Sequence, residues 1–130
     1  MTALDVARHP WVPADAEFMT GMIGHHAQAI EISRLAPTRA QSPAVKRLAE
    51  RIINAQEDEI ATMQQWLRDR GQPVPDAAHA HHAAGHAMMP GMLTPEQVAQ
   101  LQRATGAGFD QLFLNLMIQH HRGAVSMVQR

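Results

Sequence analysis

A chain of 130 residues suits one domain, and 45% hydrophobic with 18% charged residues is the composition of a folded globular protein that builds its core without staples. A formal net charge of −1 gives neither the basic footprint of a nucleic-acid binder nor a polyacidic tail, and no apolar run approaches the ~18 residues needed for membrane insertion. Nine His, nine Met and no Cys exclude disulfides and thiolate metal sites, so a soft-metal site here must use imidazoles and thioethers.

Residues 1–13 carry Asp5, Arg8 and His9 where a signal peptide would have its apolar stretch. The expectation is a cytoplasmic chain, or the mature part of an exported one. A first helix is predicted from about Pro13–Asp15 to Leu35. Proline suits the first turn, Asp15 and Glu17 favour a helix N-terminus, and Pro37 ends it. Ser42-Pro43 reads as a cap and first turn. Val45, Leu48, Ile52, Ile60, Met63 and Leu67 then recur at helical spacing until Gly71 and Pro73 stop the helix. Glu57, Asp58 and Glu59 read as a solvated patch on it.

Residues 72–93 break the pattern. Pro, Gly and Ala alternate with His and Met, which predicts a loop within the domain; one this long is functional or disordered. Thr94-Pro95-Glu96-Gln97 restarts helix as a capping box, Gly106 and Gly108 interrupt it, and a last helix is predicted from about Phe109 to Arg130. No run alternates with the period of a strand.

The strongest feature is a duplication. DAEFMTGMIGHHAQAIEI, residues 15–32, matches DQLFLNLMIQHHRGAVSM, residues 110–127, at a constant offset of 95. The chain therefore reads as two helical hairpins in tandem. At about 100° per residue, Phe18, Met22, His25, His26 and Ala29 share one arc of a helix, as do Phe113, Met117, His120, His121 and Ala124. A tandem His pair with Met one turn earlier, occurring twice on a core-directed face, points to a ligand or to carboxylate partners such as Asp15 and Asp110. Hydrogen-bonded structural histidines in a metal-independent interaction module remain the alternative, as does a simple helix-start role for the two aspartates.

His79, His81, His82, His86, Met88, Met89 and Met92 form a second group of donors within the loop. Imidazole binds several transition metals and thioether selects soft ions, so the mixture favours copper(I), with silver(I) possible and zinc less suited. A low-complexity His/Ala tract is the competing reading. Chemistry of other kinds finds no support. No Glu has a His three residues on, as a di-iron bundle requires, and neither a zinc-protease motif nor a phosphate loop occurs. The expectation is a metal-binding protein and no enzyme.

The two FxxxMIxHHxxA segments, with MPGMLTPEQ and GxxFDxLFL ahead of the second, resemble the domain-of-unknown-function 305 family over about residues 14–130. The resemblance implies an all-α, ferritin-like helical bundle in an exported bacterial protein that binds copper or silver. The family includes a periplasmic copper-binding protein. Carried over by position, the motif residues are Met22, His25, His26, Met117, His120 and His121, with Met89 and Met92 of MPGM. The combined expectation is one domain over 1–130, built from a duplicated helical hairpin with the second repeat truncated. Its function would be copper(I)/silver(I) sequestration or delivery in the periplasm or outside the cell. Because the counterpart of the second helix is missing after Arg130, the last helix is also expected to pack across the axis of a homodimer.

Overall fold

The computed structural model describes residues 10–75 and 90–128. They form helix α1 (Pro13–Ser33), a single turn α2 (Ala36–Arg39), α3 (Pro43–Asp69), α4 (Pro95–Arg103) and α5 (Gly106–Val128). Among the described residues no strand occurs beyond an isolated bridge between Ala40 and Gly106.

The helix ends are set by local chemistry. The Asp15 carboxylate accepts the Val12 N–H at 3.0 Å at the start of α1. The Ser42 hydroxyl accepts the N–H groups of Ala44 and Val45. Gly71 closes α3 with φ +66, while Gly71 N–H bonds to Arg68 O and Gln72 N–H to Leu67 O. That pair of bonds is a Schellman cap, which glycine adopts without steric cost. Thr94 and Gln97 form the predicted reciprocal capping box of α4.

Asp110 is not a histidine partner. From α5 it accepts the backbone N–H groups of Gln41 at 3.0 Å and Ser42 at 2.9 Å, and so caps the entry to α3 across the fold. Asp15 likewise serves its own helix start. The helix-start reading holds for Asp15 but not for Asp110, which lies beyond the first turn of α5 and serves the start of α3 instead.

The last helix begins three residues earlier than expected. Gly106 makes the turn into it at φ +64, and Gly108 lies inside the helix, where a side chain would meet open space. One glycine thus acts as a breaker while the other is tolerated, because Phe109 and Phe113 anchor that first turn in the core, both fully buried and stacked 5.7 Å apart. Residues 129–130 lie outside the described residues.

Helices α1 and α3 form a hairpin through α2. Trp11 and Trp66 meet edge to face at its open end, at 6.0 Å, with the Arg70 guanidinium 4.0 Å over Trp66. One core cluster centres on Phe109, Phe113, Leu101, Leu93, Ile32 and Val45. The other joins Ile23, Ile30, Ile60 and Leu67. From Met22 to Ile30 every residue of α1 is buried. Such a stretch needs neighbours on all sides, and α3, α5 and the Pro90–Leu93 segment supply them.

Candidate metal centre

The duplicated motif brings its two copies together within one chain. The rings of His25 on α1 and His120 on α5, equivalent residues of the repeat, lie with centroids 3.7 Å apart. Contact between equivalent residues marks a local two-fold axis. His26 and His121 flank the pair, each about 6 Å from its sequence neighbour. All four histidines line one cleft of about 620 Å³ together with Met22, Arg51, Ile52, Ala55, Gln56, Glu59, Ala124 and Val125.

The four imidazoles are not equivalent. His26 gives its Nδ1 proton to the Met22 carbonyl at 2.7 Å, and its Nε2 shares a proton with the Glu59 carboxylate at 2.5 Å. His121 repeats the first of these bonds, Nδ1 to the Met117 carbonyl at 2.8 Å. A carbonyl can only accept, so in both rings Nδ1 carries a proton and Nε2 is the remaining nitrogen. Burial differs, however: His26 is covered by α3, whereas His121 is exposed. No helix equivalent to α3 stands over α5 among the described residues.

His25 and His120 are each 2% exposed. Burial lowers the pKa of His25 to about 4, opposed by its bond to the Pro90 carbonyl and helped by the neighbouring His26 and His121. Burial also lowers His120 to about 3, aided by His25 and the other two imidazoles and opposed by a weaker hydrogen bond to the His25 backbone. Both rings are neutral at physiological pH, the state in which imidazole ligates metals. His120 Nε2 is buried without a hydrogen-bond partner, and an orphaned buried nitrogen calls for a functional account.

Neutral imidazoles, a thioether and an unpaired buried nitrogen are a donor set that fits a soft metal ion. The arrangement is not pre-closed: no three His, Asp or Glu side chains among the described residues already surround a common point. Met22 lies in the cleft, but its counterpart Met117 packs into the core with Phe109 and Phe113. Met92 is half-buried and does not line the cleft. His79, His81, His82, His86, Met88 and Met89 lie outside the described residues.

Glu59 was not singled out by the sequence as a site residue, being grouped with a solvated patch; its side chain is 56% exposed, yet it holds His26. A signal was present. Val45, Ala49, Ile52, Gln56, Glu59, Met63 and Trp66 alternate spacings of four and three along α3. Gln56 and Glu59 are the polar residues on that seam, and polar residues at seam positions cost stability and mark specificity. Both line the cleft.

A four-helix arrangement with paired histidines on two facing helices defines a helical-bundle protein with a His/Met cleft. The chain belongs to the family described as a domain of unknown function (DUF305), whose model matches residues 15–130. Three solved structures resemble it closely. A DUF305 candidate secreted protein from Streptomyces coelicolor is 33% identical, with a TM-score of 0.75 over 89% of this chain and 71% of that one. A DUF305 fragment from Deinococcus radiodurans is 34% identical, with a TM-score of 0.76 over 92% and 76%. CopM in its Cu(II)-bound form is 35% identical, with a TM-score of 0.70 over 88% and 72%. An uncharacterized protein of Acanthamoeba polyphaga mimivirus is 39% identical over 56 residues, which are 43% of this chain and 37% of that relative.

Proposed function

We propose that this chain binds copper(I) in the cleft between α1 and α5, as a sequestration or delivery protein of the bacterial envelope and not as an enzyme. The observation that carries the reading is the convergence of four histidines from two repeats in one cleft beside Met22, two of them held neutral by burial. Likeness to CopM in a Cu(II)-bound form supports copper as the metal. The thioether and the absence of cysteine favour the softer copper(I), with silver(I) as its mimic and zinc less suited. Ligands are drawn from Met22, His25, His26, His120 and His121. Met117, Met92 and the donors of the 79–89 stretch are further candidates. Coordination by His26 Nε2 requires the proton it shares with Glu59 to leave, so binding releases a proton. No described helix is long and apolar enough to cross a membrane. A periplasmic or extracellular place is proposed by analogy with the Streptomyces relative.

Competition against chelators of known affinity tests this. Copper(I) and silver(I) should bind more tightly than zinc(II), and the double variant His26→Ala/His121→Ala should bind fewer ions while keeping its helicity. Zinc binding of equal strength would remove the copper argument. An unchanged stoichiometry in the double variant would favour structural histidines, a reading that the two satisfied ring nitrogens of His26 support.

The premise of the expected homodimer narrows. Phe113, Leu116, Met117 and His120 are buried within the single chain, because α1 and α4 with the Pro90–Leu93 segment cover that face. Leu114, Ile118 and Val125 remain exposed as a stripe along α5. A homodimer is proposed on this stripe alone. Light scattering at micromolar concentration should read twice the chain mass, and Ile118→Glu should halve it; a monomeric wild type would end the proposal.

A further inference from the structure

The Pro90–Leu93 segment is held between two helices at positions that the repeat makes equivalent. On α1, the buried Gln28 donates to the Leu93 carbonyl at 3.0 Å and accepts the Leu93 N–H at 2.8 Å. On α5 the equivalent position is Gly123, and there the turn's backbone rests directly on the helix. A Cβ on Gly123 would stand 2.0 Å from the Pro90 carbonyl oxygen and 2.4 Å from Gly91 Cα. A Cβ on Gly91, at φ +81, would stand 2.6 Å from the Gln119 carbonyl oxygen and 2.7 Å from Gly123 Cα. Every one of these obstacles is backbone, so neither position admits a side chain without moving the turn.

This seat puts the Pro90 carbonyl 3.1 Å from His25 Nε2. The carbonyl only accepts, so Nε2 carries the proton of the neutral ring and the lone pair lies on Nδ1. His26 and His121 have the opposite arrangement, each donating Nδ1–H to the carbonyl four residues earlier. We propose that the Pro90–Gly91 turn, seated on Gly123, is a positioning element of the histidine site: it fixes His25 as the Nε2–H tautomer and so makes Nδ1 its metal-ligating nitrogen. The ligating half of this inference rests on the copper reading, whereas the tautomer is a property of the metal-free protein. Outer groups that hold the second ring nitrogen of a ligating histidine set its tautomer and orientation, and removing them costs about 10–100-fold in metal affinity.

Long-range nitrogen–proton NMR on the metal-free full chain at pH 7 reads the tautomer. His25 should be the Nε2–H form in the wild type. Gly123→Ala should displace the turn while α5 persists, since alanine is the better helix former; His25 then becomes a mixture of tautomers and copper(I) affinity falls about tenfold or more. Gly91→Ala blocks the same contact from the other side and should do the same. Gly108→Ala, whose Cβ would meet nothing within 4 Å, should change neither reading. An Nδ1–H His25 in the wild type, or an unchanged tautomer in both turn variants, would overturn the positioning role. Loss of the tautomer with copper(I) affinity intact would overturn the ligand assignment. A wild type that binds no copper(I) would overturn the copper reading, and the tautomer signals would still decide whether the turn positions His25.

Discussion

Lowering the pH from 6.5 to 4.5 should destabilise the metal-free protein by several kcal/mol, read as a falling urea midpoint at constant slope. The groups responsible are His25, held at a pKa of about 4, and His120, held at about 3, mainly by burial. In the unfolded chain both imidazoles titrate near 6.5. Between 6.5 and about 4 the unfolded state therefore binds more protons than the folded state, and stability falls as the pH falls. Each ring withdraws roughly 2 kcal/mol over that window, and because both folded rings stay largely neutral there, the pair together is worth on the order of 4 kcal/mol. The loss is complete only once the solution is acid enough to protonate the folded rings, near pH 3, where carboxylates contribute as well. The upper window is therefore the diagnostic one, and stability that stays flat across it would show that the two rings are not buried against each other. The same depression keeps both rings in the ligating form at pH 5, where an ordinary histidine is protonated and loses its metal.

Much of the fold was legible because local rules and tertiary packing agree. Ser42-Pro43, Gly71 and the Thr94–Gln97 box mark helix ends by satisfying backbone groups nearby, and all three stand where the sequence pattern placed them. Disagreement arose where tertiary contacts outweigh local signals. Gly108 reads as a breaker, but the burial of Phe109 holds its turn in helix. Asp110 reads as a helix-start residue, and its two bonds to the α2–α3 link depend on a neighbour almost seventy residues away.

The candidate site was legible to a similar depth. Duplication of Met-Ile-x-His-His pointed to two helices presenting histidines, and those histidines do converge. Periodicity treats the two copies alike, however, and their surroundings are not alike. His26 lies under α3 and Glu59, His121 is open, Met22 lines the cleft and Met117 fills the core. Backbone partners are harder still to read from side-chain patterns. The Pro90 carbonyl that holds His25 belongs to no side-chain motif, and Gly123 signals its role only by standing where the first repeat has Gln28.

His120→Leu should move stability and metal binding in opposite directions. His120 is 2% exposed, and its Nε2 has no hydrogen-bond partner. A buried polar atom left unpaired costs about 1–3 kcal/mol, and a leucine of similar bulk removes that cost while adding apolar contact. The metal-free variant should therefore unfold at higher urea than the wild type at pH 7. It should also lose about half of the acid sensitivity between pH 6.5 and 4.5, because one of the two depressed imidazoles is gone while burial still holds the other, His25, low. Copper(I) affinity should fall by about a hundredfold, since the change removes a proposed ligand near the centre of the cleft instead of a group behind one. His25→Leu is a weaker test of the same idea, because it also leaves the Pro90 carbonyl without its donor. A structural imidazole would behave otherwise: its replacement would lower stability and leave metal binding untouched. Chelator competition and urea titration on the same preparation separate the two cases, and a destabilised His120→Leu with full copper(I) affinity would remove His120 from the proposed site.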